Sequence, residues 1–321
     1  MGISEFRDRL NQLAKNSTPF IFLVDFELRR PVVFCMDELD SNTVLFDFNG
    51  VTNQDQKDFN QIAIDVQSNL AEGYKRKFEM VHGAIMRGDS FLTNLTIKSN
   101  VGISCSLKDI FYASHAKYKL WYKNEFVVFS PEPFIKIKNQ KVYSYPMKGT
   151  IDADVPNAAE VLLANRKEMA EHVTIVDLIR SDLSRVASNV SVRNFRFIET
   201  LRTNKKNLLQ VSSEVEGKLP DNYLEKIGDI LLALLPAGSV SGAPKPKTLN
   251  LIRKVEGEDR GYYTGVCGYF DGQSLDSGVM IRFLEKKGEH YYYRSGGGVT
   301  SQSDWKTEYE ELINKIYVPV A

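Results

Sequence analysis

Gly261-Tyr-Tyr-Thr-Gly-Val-Cys-Gly-Tyr-Phe270 opens the stretch on which the fold turns, and it continues through Gly278-Val-Met-Ile-Arg-Phe-Leu284 to Tyr291-Tyr-Tyr-Arg294. Aromatic and β-branched residues punctuated by Gly, Asp and Ser read as strands joined by Gly-rich turns, here Tyr262–Phe270, Gly278–Leu284 and Tyr291–Arg294. The residues before them have a different period. Between Asn157 and Val186, Val161, Leu162, Met169, Val173, Val176 and Ile179 recur at helical spacing, and Leu224 to Leu235 reads as a further helix. Earlier still the chain is strand-rich again. Phe20–Val24 and Pro31–Phe34 flank a charged tip, and Ser90–Ile97, Phe126–Phe129, Phe134–Lys138 and Val142–Tyr145 follow. Strands, then helices, then strands predict an α+β fold with substantially antiparallel sheets, not a doubly wound one.

Three more segments complete the reading. Met1 to Lys15 places Phe6, Leu10 and Leu13 on one face and reads as a surface helix rather than a signal peptide. Asp58 to Arg87 is polar, with Phe78, Val81, Ile85 and Met86 at helical spacing, and it closes at Gly88-Asp89. A last helix is expected from about Asp304 to Tyr317.

The chain has 321 residues, 41 Lys+Arg against 41 Asp+Glu, and 43% hydrophobic residues. That composition excludes wholesale disorder, and zero net charge argues against binding nucleic acid through a broad basic surface. Cys35, Cys105 and Cys267 are scattered and odd in number, which fits a reducing cytoplasm better than a disulfide framework. The apolar run Ile230–Leu235 stops at Pro236, well short of the ~20 residues a membrane helix needs.

Glu168 and Glu171 are three residues apart, as are Glu308 and Glu311, so each pair shares a helical face. Four carboxylates converging from two helices would suit a hard divalent ion such as Mg²⁺; solvated helix surface accounts for the same spacing. Glycine concentrates in Ala237-Gly-Ser-Val-Ser-Gly-Ala-Pro-Lys245 and Ser295-Gly-Gly-Gly-Val299. Neither is a nucleotide fingerprint, though both would let backbone N–H groups approach an anion, or simply punctuate turns. Lys148 follows a strand and precedes Gly149-Thr150. With an ordinary pKa of about 10.4 it becomes a nucleophile only if burial or a neighbouring cation lowers that value. His82, His115, His172 and His290 have no metal-ligand spacing, and Cys267 reads as a buried strand residue.

Taken in order, these segments resemble the chorismate-utilising enzymes, and among them the aminodeoxychorismate synthases, the large-subunit type of para-aminobenzoate synthase. The resemblance runs from about Tyr74 to Val318. It is carried by Gly88-Asp-Ser-Phe-Leu-Thr-Asn-Leu-Thr96, Ser130-Pro-Glu-Pro-Phe134, Pro146-Met-Lys-Gly-Thr150 and Glu171-His-Val-Thr-Ile-Val-Asp-Leu-Ile-Arg-Ser-Asp-Leu183. Pro236–Lys245, Gly265–Tyr269, Ile281-Arg282, Gly296-Gly-Gly298 and Glu308–Lys315 extend it. The resemblance implies one catalytic domain over 1–321, with a short variable part over 1–70. It also implies two packed antiparallel sheets flanked by helices, with chorismate and Mg²⁺ between them. Glu171 and Glu311 would then be metal ligands, with Glu168 and Glu308 close by. Tyr263, Arg282, Gly296, Gly298 and Lys315 would cover a substrate carboxylate, Gly149, Thr150 and Ser239 would line the same pocket, and Glu132 would be the general acid/base.

In this family Lys at position 148 is similar to the aminodeoxychorismate synthase pattern, where the anthranilate synthases carry Ala. The implied activity is amination of chorismate to 4-amino-4-deoxychorismate in the para-aminobenzoate/folate pathway. The resemblance also implies a separate glutamine amidotransferase subunit as the ammonia source. Anthranilate synthase component I and a non-catalytic chorismate binder are the alternatives. Two departures stand out: Gln210 occupies a position where the family often has His, and no tryptophan-binding Leu-Leu-Glu-Ser motif is present.

Overall fold

The computed structural model describes residues 1–55, 62–67, 70–202 and 207–319. Its strands form two sheets. In the first, the spatial order is Met147–Asp152, Asn207–Lys218, Lys141–Ser144, Pro133–Lys138, Leu275–Val279, Val266–Phe270, Phe20–Val24 and Val32–Cys35, with Ser188–Arg202 also paired to Asn207–Lys218. In the second it is Gly242–Ala243, Leu92–Ile103, His290–Val299, Phe283–Lys287, Phe126–Ser130, Tyr118–Tyr122, Val44–Phe48 and Val51–Thr52, with Ile64–Val66 on Leu92–Ile103. The pairings are antiparallel throughout the described ladders, as the strand–helix–strand reading required.

Alternation of side chains across each strand builds four layers. Ile21 and Leu23 of the first sheet meet Phe46, Tyr118 and Phe283 of the second in a core between the sheets. On the outer face of the first sheet, Phe20, Phe22 and Val24 pack with Phe6 and Leu10 of helix Ile3–Lys15 and with residues of helices Arg166–Leu183 and Ile227–Leu234. On the outer face of the second, Leu95 and Ile97 meet Tyr74, Phe78 and Val81 of helix Ala71–Met86 and Leu312 of helix Trp305–Asn314. Fully burying each such side chain contributes roughly 1.5–3 kcal/mol, so the layers are held mainly by these faces.

The structure alters several sequence readings. The polar stretch from Asp58 is not one helix: a strand at Ile64–Val66 precedes a helix that begins at Ala71, and 58–61 and 68–69 lie outside the described residues. Met86 ends that helix 64% exposed. The helix expected over Asn157–Val186 breaks at Asn165, whose side chain accepts from the Glu168 N–H and caps Arg166–Leu183. Val161, Met169 and Val173 face outward on the two pieces, while Leu162, Val176 and Ile179 are buried. Gly278–Leu284 is the end of one strand and the start of another, Leu275–Val279 and Phe283–Lys287. The long hairpin Ser188–Arg202/Asn207–Lys218 and helix Lys245–Glu256 have no counterpart in the sequence reading. Among the described residues, no helix is long and apolar enough to cross a membrane.

Candidate active site

Lys148 is presented by an irregularity in strand pairing. It lies opposite Val211, and Thr150 lies opposite Gln210, so Gly149 is left over as a bulge. Gly149 has φ +80°, and a Cβ there would fall 3.1 Å from Glu168 Oε2 and 3.2 Å from Leu162. The glycine thus lets the strand press against the capped start of helix Arg166–Leu183. One turn further, Glu171 Oε2 lies 2.7 Å from Lys148 Nζ, with Glu171 only 6% exposed. Burial pulls the Lys148 pKa down, but Glu171, Glu168 and Glu311 together outweigh it and the amine is pushed up to about 12. In this arrangement Lys148 is an ammonium ion, the reverse of what nucleophilic attack needs.

Glu132 follows Ser130, whose Oγ accepts the Glu132 N–H at 3.1 Å. Ser239 Oγ donates to Glu132 Oε1 at 2.5 Å. Burial raises the Glu132 pKa, and the Ser239 bond with the charges of Arg282, Lys315 and Lys148 offsets this only in part. A carboxyl whose pKa burial raises in this way is suited to general-acid work.

The glycine-rich strand His290–Val299 separates two sets of groups. A Cβ at Gly296 would lie 2.9 Å from Tyr263 Oη and 3.1 Å from Asn94 Oδ1, and one at Gly298 would lie 3.8 Å from Lys148 Nζ. On the other face, a Cβ at Gly297 would lie 3.7 Å from Glu308 Oε2 and 4.0 Å from Lys315 Nζ. Lys315 Nζ bonds Glu311 Oε1 at 2.6 Å and donates to the Gly296 carbonyl at 3.0 Å. Burial lowers the Lys315 pKa, with Glu311 opposing the shift. Arg282 has φ +54°, unusual for a non-glycine residue and the kind of strain that collects at functional sites. Its Nε is buried with no hydrogen-bond partner among the described residues, and its guanidinium lies 5.5 Å from the Tyr317 ring centroid.

The site residues read from the sequence therefore divide. Lys148, Glu171, Glu168 and Gly149 form one group, Glu132 and Ser239 a second, and Tyr263, Gly296 and Gly298 a third facing Lys148. Glu308, Glu311 and Lys315 approach from the opposite face of the glycine strand, although Glu311 is close enough for its charge to act on Lys148. Thr150 is exposed at the rim. The expected convergence of four carboxylates is incomplete: among the described residues no three His, Cys, Asp or Glu side chains are gathered to hold a metal ion. The donor chemistry nonetheless fits an oxygen-seeking cation. Glu171, Glu168 and Glu311 all act on one ammonium, Lys148, which occupies the place a cation would take among them.

His172, next to Glu171, bonds through Nε2 to Ser213 Oγ at 2.7 Å, and burial lowers its pKa to about 4. It braces the helix against the Asn207–Lys218 strand. Gln210 is buried with its Oε1 unpartnered among the described residues. Cys267 is buried, as read. A cavity of about 150 Å³ opens beside Glu171, lined also by Phe91, Leu92, Thr174, Thr300 and Gln302. Sequence reasoning missed this lining, Asn94, and the buried Glu256–Arg260 pair behind it; Asn94 sits inside the Gly88–Thr96 run, the only signal that could have found it.

The profile of the chorismate binding enzyme family matches residues 36–321. The chain is 43% identical over 320 residues to an uncharacterized PabA-like protein of Haemophilus influenzae, covering 99% of this chain and 97% of that one. It is 37% identical over 198 residues to anthranilate synthase component 1 of Arthrobacter globiformis, covering 60% of this chain and 36% of that one. It is 31% identical over 259 residues to aminodeoxychorismate synthase component 1 of Bacillus subtilis, covering 77% and 54%. The menaquinone-specific isochorismate synthase of Escherichia coli shares the fold at TM-score 0.76 and 16% identity, over 98% of this chain and 81% of that one.

Proposed function

Since the chain belongs to the chorismate-binding enzyme family, we propose that it is a Mg²⁺-dependent aminodeoxychorismate synthase of the cytoplasm, making 4-amino-4-deoxychorismate for para-aminobenzoate and folate. One observation carries this reading: Lys148 Nζ lies beside the side-chain-free surface at Gly298 and within 2.7 Å of Glu171. A lysine in that place can reach a substrate lying on the glycine strand. An alanine there could not.

Glu171 and Glu311, with Glu168 and Glu308 beside them, would hold Mg²⁺, which would supply countercharge to a substrate carboxylate. Burial favours the free amine of Lys148, and among the carboxylates Glu171 opposes it most strongly. The Lys148 lone pair then forms a bond to C2 of chorismate as the C4–O bond breaks. Glu132 gives its proton to the departing hydroxyl, which leaves as water. Ammonia adds at C4, the C2–N bond breaks with Lys148 leaving as the free amine, and the proton released by the added ammonia returns to Glu132. Arg282 and Tyr263 orient the substrate through its carboxylate, and Lys315, held on the Gly296 carbonyl and close enough for its charge to act on Glu132, adds positive charge from the other side of the glycine strand. Ammonia would come from a separate glutamine amidotransferase.

The test is product identity. The purified chain, given chorismate, MgCl₂ and ammonium chloride at alkaline pH, should form 4-amino-4-deoxychorismate, identified by mass and absorbance, whereas glutamine alone should give nothing. Anthranilate as the product, or binding without turnover, would remove the assignment.

A further inference from the structure

We infer that the side-chain amide of Asn94 is a substrate-binding group, donating an N–H to the carboxylate oxygen that Tyr263 also reaches over Gly296. The inference rests on the chorismate reading for the identity of its ligand and adds a residue to that site. Asn94 lies on strand Leu92–Ile103, opposite Gly298 in the ladder, while Thr96 lies opposite Gly296. Side chains two apart share a face, so Asn94, Gly296 and Gly298 look the same way, toward Lys148 and Tyr263. Its Oδ1 and the Tyr263 hydroxyl fall 3.1 and 2.9 Å from the single point where a Gly296 Cβ would stand. Two polar atoms thus converge on a position the sequence leaves without a side chain.

The main chain of Asn94 is fully engaged. Its N–H donates to the Ser241 carbonyl at 2.9 Å, and its carbonyl accepts from Arg260 Nη2 at 2.7 Å. The side chain is not: Oδ1 is buried with no hydrogen-bond partner among the described residues. A buried amide oxygen without a donor is costly, and a site that keeps one has use for it when a ligand is present. No bond to Oδ1 fixes the present orientation, so a half-turn of the amide presents N–H₂ to the same point at little cost. Lys315 Nζ donates to the Gly296 carbonyl at 3.0 Å, Lys148 Nζ lies 3.8 Å from where a Gly298 Cβ would stand, and the Arg282 charge acts on Tyr263. The ligand atom these cations favour over the glycine strand is therefore an anionic oxygen, and a donor is what it requires.

The experiment compares wild type with Asn94→Ala and Asn94→Asp in steady-state turnover of chorismate and in equilibrium binding of chorismate with Mg²⁺ present. Asn94→Ala should raise KM and Kd about tenfold or more, the loss expected of one hydrogen bond to a charged group, with kcat changed much less. Asn94→Asp has nearly the same shape but sets a carboxylate against a carboxylate, so it should weaken binding further than Ala does. Urea midpoints near wild type show that neither change acts through folding, and Asn94→Ser substitutes if Asn94→Asp does not fold. Asp binding as well as or better than Asn would make the group an acceptor for a hydroxyl or amine and overturn the inference, as would Ala and wild type behaving alike. If wild type converts chorismate and the variants match it, this inference alone fails. If wild type neither binds nor converts chorismate, the functional reading fails and takes this inference with it.

Discussion

Arg260 and Lys148 are both bonded to a glutamate, at 2.6 Å from Glu256 Oε1 and 2.7 Å from Glu171 Oε2, yet their surroundings differ in a way that separates scaffold from site. Arg260 bonds Glu256 through Nε and Nη2, and also donates to the carbonyls of Val240 and Asn94. Glu256 Oε1 in turn accepts from the N–H and hydroxyl of Thr96. The guanidinium and carboxylate are 1% and 3% exposed, and charge balances charge. Lys148 faces three carboxylates, is 26% exposed, and looks onto glycine. The first pair joins Ser239's loop, the Asn94 strand and helix Lys245–Glu256 into one support. The second gathers carboxylates from two helices around one amine beside an open glycine surface, and those oxygens are what a metal ion would use.

Removing those carboxylates should have the largest effect. Glu171→Ala or Glu311→Ala, or a chelator added to wild type, should abolish turnover while circular dichroism shows the fold intact. Full activity in a chelated sample would end the Mg²⁺ proposal. Lys148→Ala comes next. It should cut 4-amino-4-deoxychorismate formation by about a thousandfold or more, roughly three steps of 1.36 kcal/mol, with chorismate still bound. Residual product should shift toward attack of ammonia at C2, and wild type held with chorismate but no ammonia should show an adduct on Lys148 by peptide mass. An alanine variant working at the wild-type rate would make the lysine a bystander.

Arg260→Met tests the other side of the contrast. It strands Glu256 in a buried position and should cost about 3–5 kcal/mol of stability in urea unfolding. A loss below about 1 kcal/mol would mean that the pair is not the support inferred from its bonds. The smallest effect concerns acidity. The Ser239 bond lowers the Glu132 pKa, so Ser239→Ala should raise it further. Activity that needs protonated Glu132 is lost as pH rises through its pKa, and the alkaline limb of the rate profile, taken at constant free ammonia, should therefore move up, by about one pH unit for 1.36 kcal/mol. A limb that stays or moves down would take the acid role from Glu132.

How far the sequence could be read differs by element. Helix Ile3–Lys15 was legible because Phe6, Leu10 and Leu13 mark one buried stripe. Arg166–Leu183 was legible as a helix but not in its orientation, since Met169 and Val173 fit the period and still face outward. The Ser188–Arg202/Asn207–Lys218 hairpin was not seen because its register slips repeatedly, which destroys the strict alternation that marks a strand. Asn94 does not stand out within the Gly88–Thr96 run, since nothing in a lone Asn shows whether its amide has a partner.

The sequence by itself determined the α+β class, the paired glutamates on two helices, the lysine in its Pro-Met-Lys-Gly-Thr setting and the glycine run, because periodicity and residue chemistry are local properties. Only the tertiary structure decided which groups meet. It put Lys148 and Tyr263 on one face of the glycine strand and Glu308 and Lys315 on the other, gave Lys148 to Glu171 as a protonated partner, and left the Asn94 amide oxygen without a partner among the described residues. Those outcomes depend on ladder register, a one-residue bulge at Gly149 and the stacking of layers, and each is fixed by contacts between residues far apart in the chain, where no local pattern records them.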